Sequence, residues 1–126
     1  MELVEGRPQD KRIDKEERVY DLLDQLNIDY QRIDHEEANT MEICLEIEKT
    51  LKSTICKNLF LVNSNKSQYY LLMLKENKKF KTKMISKQIN SSRLSFGSDE
   101  KMLEYLDITP GSVSLLGLMN DHDFKV

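Results

Sequence analysis

Two apolar runs separated by four turn-forming residues constrain this chain more than any other feature. "KNLFLVN" (57–63) and "QYYLLMLK" (68–75) flank "SNKS" (64–67). Each run has the length of an ordinary strand, the second is rich in aromatics, and Ser and Asn favour turns, so the segment predicts an antiparallel hairpin. Leu59, Phe60, Leu61 and Val62 are continuously apolar, the pattern of a strand covered on both faces. Lys57 and Asn58 stand at its head. A lysine there has two readings. It marks the solvent end of the strand, its ammonium reaching water, or it has a task, because buried lysine is rare without one.

Helical signals surround the hairpin. Asp14 and Glu17 have capping-box spacing, and Val19, Leu22, Leu23 and Leu26 recur at i, i+3, i+4, i+7, which predicts an amphipathic helix that stops at Asn27. "IDYQRIDH" (28–35) reads as a short strand through Ile28, Tyr30 and Ile33. Asn39 or Thr40 caps a second helix whose apolar set is Met41, Ile43, Cys44, Ile47 and Leu51. "KTKMISKQI" (81–89) places Met84, Ile85 and Ile89 on a helical stripe. Leu94 and Phe96, apolar residues in a polar loop, are expected to pin that loop to the core. Ser98 caps "DEKMLEYL" (99–106), with Met102, Leu103 and Leu106 inward. "TPG" (109–111) is a turn signal. "SVSLLGLMND" (112–121) reads as a strand in which Gly117 is a bulge or a close backbone approach. Interleaved helices and strands with one clear hairpin define an α/β or α+β class with a mixed sheet. With 126 residues and no linker or repeat, one domain (1–126) is expected.

The net charge of −3 conceals a pattern. Residues 1–50 hold 15 acidic and 7 basic side chains, whereas 75–93 hold 7 basic residues against one glutamate. A basic band on an acidic protein suits a polyanion; a solvated helix face is the plainer reading. No run approaches the roughly 18–20 apolar residues of a membrane span. The first residues lack an apolar signal core, so a cytoplasmic location is expected. Cys44 and Cys56 are isolated thiols, expected at or near the core, and with only His35 and His122 beside them neither a disulfide framework nor a metal site is indicated.

No nucleophile elbow, Walker loop, zinc-protease helix or dinucleotide fingerprint occurs. What remains is polar residues at the ends of elements, where a rigid framework can converge them on a pocket. Lys57 and Asn58 lead one predicted strand. Gly111 and Ser112 lead another. His35 and Thr40 lie in a strand-to-helix connection.

"CKNLFLVN", "SRLSFGSDEKMLEYLDITPGSVSLLGL" and "IDHEEANTMEI" together resemble the YbaK/ProX superfamily, most closely its free-standing prolyl-tRNA editing proteins, from about Lys15 onward. The resemblance implies a mostly antiparallel, barrel-like sheet with surrounding helices. It implies a deacylase that removes alanine wrongly esterified to proline tRNA, with the tRNA acceptor end as partner and no cofactor or metal. Lys57 corresponds to the family's essential lysine and Gly111 begins its glycine loop, so both are candidate catalytic residues. Asn58, Ser112, His35 and Thr40 are candidate substrate contacts. His35 and Thr40 are expected at the pocket rim, though Thr40 also reads as a helix cap. In a regular strand Asn58 opposes Lys57, so it serves the same pocket only through an irregular strand start or by supporting the wall from behind.

Two departures from the family stand out. Its glycine loop runs Gly-x-x-x-Pro, and here Leu115 takes the proline's place. Family members also continue through another strand, a Gly-Cys-His-Pro-like segment and a closing helix, and His122 falls too early to be that histidine. Either the sequence is a fragment, or it is a shortened member with an open pocket, an exposed sheet edge that favours a homodimer, and weakened or absent editing. The alternative is a non-catalytic module of the same fold that binds tRNA or amino acid. A third reading is an interaction domain that uses the acidic N-terminal half.

Overall fold

A computed structural model describes residues 1–37 and 40–126, which gather into two units, 1–55 and 56–126. The fold is α+β. All strand pairs among the described residues are antiparallel and form two open sheets, one two-stranded and one three-stranded, rather than a closed barrel.

In the first unit, β1 (Val4–Glu5) pairs with β2 (Gln31–Arg32), Val4 opposite Arg32. The strand expected across 28–35 is thus only two residues long, because its first part is the exit of the preceding helix. Asp14 is the first residue of α1 (Asp14–Gln25) rather than its cap, and Ile13 holds the cap position without a side-chain hydrogen bond. The expected capping box is not formed; Glu17 Oε1 instead accepts from the N–H of Arg12, one residue before the cap, at 2.9 Å. Asp14, Glu16 and Glu17 suit the positive end of the helix dipole. At the other end Asn27 adopts φ +56°; its N–H donates to Asp24 O and the Ile28 N–H donates to Leu23 O, a Schellman ending. Tyr20, buried on α1, stacks on Tyr30 with ring centroids 6.1 Å apart.

Thr40 caps α2 (Met41–Leu51), its Oγ1 accepting from the Ile43 N–H at 3.2 Å. Asn39, the other cap candidate, lies outside the described residues. Ile47 is buried and Ile43, Cys44 and Leu51 are half-buried, as the periodicity predicts. Met41 is exposed instead: it holds the first helical position, from which a side chain points back past the helix end.

The predicted hairpin organises the second unit. β3 (Cys56–Val62) pairs with β4 (Tyr69–Lys75) along its whole length, from Cys56 opposite Lys75 to Val62 opposite Tyr69. The turn is held by Asn63, whose Oδ1 accepts from the Ser67 and Gln68 N–H groups. On the other side of β3 lies β5 (Ser95–Phe96), with Leu61 opposite Phe96. Phe60, Val62 and Tyr69 on one sheet face meet Met102, Leu106 and Ile108, with Tyr105, Val113 and Val126 packed against the cluster. Each such burial contributes about 1.5–3 kcal/mol.

Ser98 caps α4 (Asp99–Leu106) through the Lys101 N–H, as expected, while Leu103 turns outward. In α3 (Thr82–Gln88) the buried residue is Ser86, not Met84 or Ile89, which are exposed. The Ser86 hydroxyl donates to Thr82 O and accepts from the Leu94 N–H, so a polar link takes the position expected of an apolar stripe. Leu94, 2% exposed, pins its loop as expected, but Phe96 is 62% exposed, because β5 is an outer strand and the ring leans on Phe80 rather than on the core.

The segment read as a strand over 112–121 is corrected. It forms a 3-10 helix, η1 (Leu115–Asn120), capped by the Ser114 hydroxyl on the Leu116 N–H. Gly117 and Asn120, three apart, lie on one side of it. The Asn120 amide donates to Leu106 O at the end of α4, and a Cβ on Gly117 would stand 2.4 Å from Ile108 Cδ1. The close backbone approach expected at Gly117 is therefore real, though in a helix. Beyond it, the Asp121 carboxylate accepts from the Lys125 and Val126 N–H groups, and the Tyr69 N–H donates to Lys125 O.

Candidate functional site

Lys57 is the second residue of β3, exposed, and makes no ion pair among the described residues. Its register partner is Leu74, and that of Asn58 is Met73. Pairing is uninterrupted through 56–62, so Lys57 and Asn58 point to opposite faces of the sheet. Asn58 shares its face with Phe60 and Val62, and its Oδ1 is buried without a hydrogen-bond partner among the described residues. The strand start is regular, which leaves Asn58 on the core side of the wall that carries Lys57.

An open hollow of about 620 Å³ lies at this end of the hairpin, lined by Met73, Leu74, Lys75, Asn77 and Lys78. Three of these residues are the cross-strand partners of Cys56, Lys57 and Asn58. Lys75, Asn77 and Lys78 were not singled out from the sequence individually, although the basic run 75–93 that contains them was. The seven cations of that run, Lys75, Lys78, Lys79, Lys81, Lys83, Lys87 and Arg93, are all exposed, and none makes an ion pair among the described residues.

Gly111 and Ser112 belong to the same unit. Thr109, Pro110, Gly111 and Ser112 form a turn in which the Ser112 N–H donates to Thr109 O at 3.2 Å. Proline second and glycine third, with Gly111 at φ +88°, match a type II turn. Gly111 is exposed, and a Cβ there would meet nothing within 4 Å, so the glycine serves the backbone conformation rather than a close approach. Leu115, at the position where the resemblance implies a proline, is the first residue of η1.

His35 and Thr40 belong to the other unit. His35 is exposed, its Nδ1 2.6 Å from Glu36 O. It lines a hollow of about 230 Å³ with Arg12, Glu16, Tyr20, Arg32, Ile33 and Asp34. Arg12 binds Asp10 at 2.7 Å, and Glu16 and Asp34 at 3.0 Å each; Arg32 binds Asp34 as well. The two guanidinium groups, Arg12 first, hold the Asp34 carboxyl down at about 2. Burial, assisted by the hydrogen bond to Glu16, pushes Tyr20 up to about 12. The cations of this hollow are already matched by carboxylates. Thr40 is occupied by its cap.

Several guanidinium–carboxylate pairs thus lie in the first unit, and an exposed basic run without ion pairs among the described residues accompanies the lysine-headed hairpin in the second. The aminoacyl-tRNA editing domain matches residues 35–126, and the chain belongs to that family. It is 34% identical over 114 residues to the prolyl-tRNA editing protein ProX of Acetoanaerobium sticklandii, covering 90% of this chain and 70% of that protein. It is 25% identical over 114 residues to the prolyl-tRNA synthetase associated domain-containing protein 1 of Danio rerio, covering 90% and 61%. A human relative, the putative prolyl-tRNA synthetase associated domain-containing protein 1, is 30% identical over 98 residues, covering 76% and 58%. The chain thus spans roughly three-fifths of the length of the two vertebrate relatives. Among the described residues no helix is long and apolar enough to cross a membrane.

Proposed function

We propose that this chain is an aminoacyl-tRNA deacylase that removes alanine from wrongly charged proline tRNA. The observation that carries the reading is its likeness to a prolyl-tRNA editing protein across 90% of its length, with an exposed, unpaired lysine at the head of the central strand. The family match crosses the junction between the two units, which supports their acting as one domain. Its place of work is the cytoplasm.

The need for such an enzyme is physical. A synthetase pocket shaped for proline cannot strongly exclude the smaller alanine, because missing methylenes cost only about 1–3 kcal/mol each. A second site that accepts alanine and rejects proline supplies the remaining discrimination. In the reaction, a water oxygen bonds to the ester carbonyl carbon. The carbon–oxygen bond to the terminal ribose then breaks, and the ribose oxygen leaves with a proton, freeing alanine and tRNA. The neighbouring ribose hydroxyl assists the water.

Lys57 carries a full positive charge to where negative charge develops on the carbonyl or lies on the terminal phosphate. The Gly111 turn offers backbone groups to the ester, and Ser112 beside it borders the substrate. Asn58 supports the strand from the core side.

Incubation with alanyl-tRNA for proline tests the reading. The wild-type protein removes the ester, and Lys57→Ala slows removal about 100-fold or more, with its melting temperature unchanged because the side chain is exposed. If the ester persists while the folded protein still binds the tRNA, the chain is the non-catalytic binding module instead.

A further inference from the structure

Phe96 exposes 62% of its surface from a strand whose backbone is tightly held. It pairs with Leu61, a fully buried residue, and the next N–H, that of Gly97, donates to Phe60 O at 2.9 Å. A Cβ on Gly97 would stand 2.4 Å from the Phe60 ring, so only glycine lets the chain approach this closely. The backbone is fixed to the core strand while the ring stands in water. There it meets Phe80, centroids 5.9 Å apart and planes 55° apart. Burial of core does not account for this pair.

The surroundings in sequence are cationic. Lys78, Lys79 and Lys81 bracket Phe80, and Arg93 precedes Phe96 by three residues. All four are exposed and without ion pairs among the described residues, whereas Arg7, Arg12 and Arg32 of the first unit each bind carboxylates. An exposed ring backed by a half-buried one, close in sequence to unpaired cations, is what a single-stranded nucleic acid needs: a flat face for a base and positive charge for the phosphates beside it. Unpaired RNA ends can turn their bases outward to such a face.

Building on the editing reading, we propose that Phe96 and Phe80 form a stacking platform for an unpaired base near the 3′ end of the RNA, with Lys79, Lys81 and Arg93 on the flanking phosphates. Stacking of this kind tolerates any base, so the platform holds the end without reading its sequence.

The chain contains no tryptophan, so Phe96→Trp installs a single indole at the platform. Titrating that full-length variant with a short single-stranded RNA ending in CCA quenches the indole emission to saturation. In parallel, fluorescence anisotropy of the labelled RNA shows Phe96→Ala binding about tenfold or more weakly than wild type, with Phe96→Tyr retaining affinity. Circular dichroism shows all three variants folded. An oligomer of abasic ribose phosphates binds wild type and Phe96→Ala equally. Equal RNA affinity of wild type and Phe96→Ala, with no quenching, overturns the platform. So does a change in sedimentation mass without a change in RNA affinity, which marks a self-association face. Ester removal is scored separately: quenching without hydrolysis keeps the platform and sinks the editing reading, and hydrolysis without quenching does the reverse.

Discussion

Asp34 takes hydrogen bonds from Arg12 and Arg32 at once, and its carboxyl is therefore held at about 2 against an ordinary 3.8. A carboxyl lowered in the folded state stabilises the fold above its unfolded value and loses that stabilisation as pH falls through the folded value. Asp10 and Glu17 are lowered in the same direction by Arg12 and Arg7. The melting temperature is expected to fall as pH drops from about 4 toward about 2. Asp34→Asn flattens part of that slope; an unchanged slope in the variant removes the assignment. Gly117 is sensitive for a steric reason. A methyl there lands 2.4 Å from Ile108 Cδ1 and 3.1 Å from Leu106 Cβ, so Gly117→Ala costs about 1–3 kcal/mol in urea unfolding. Thr40 and Ser98 were legible as caps because a cap is a local bond, side chain to backbone three residues on. The Asp34 cluster was not, since Arg12 and Asp34 are 22 residues apart and nothing local links them.

Among elements, the hairpin was readable to within a residue, because two apolar runs around a short polar turn leave few other solutions. The 3-10 helix at Leu115–Asn120 was misread as a strand for an equally physical reason. A short apolar run such as "SLLGLM" has no period that separates strand from helix. Its form is set by the Ser114 cap and by the fit of Gly117 against Ile108, which are packing facts. The same geometry suits either leucine or proline at 115. Leu115 holds the first helical position, where proline's fixed φ suits and its missing N–H is no loss. Ser114 before it is extended, at φ −146° and ψ 146°, as a residue preceding proline prefers. Leu115→Pro is therefore expected to raise stability by about 0.4–1 kcal/mol in denaturant titration. A loss of stability would show that Leu115 is held by something other than its backbone.

For the molecule as a whole, charge is divided by position. Guanidinium–carboxylate pairs occupy the first unit, and exposed unpaired cations run along 75–93 in the second. The run was visible in the sequence; that its members have no carboxylate partners was not, because pairing depends on the fold. If three or four of these cations meet phosphates, tRNA affinity falls by tens-fold between about 50 and about 200 mM salt. Affinity independent of salt would mean that the band faces water only. The hairpin turn has one further consequence. Asn63 satisfies the amides of Ser67 and Gln68 from within the loop, and 64–68 is exposed. Lys57 lies six residues away along β3, about 20 Å for an extended strand. This turn is therefore a built-in port: a peptide tag, a tether to a surface or a new pair of chain ends can be placed there with the lysine end of the sheet left clear.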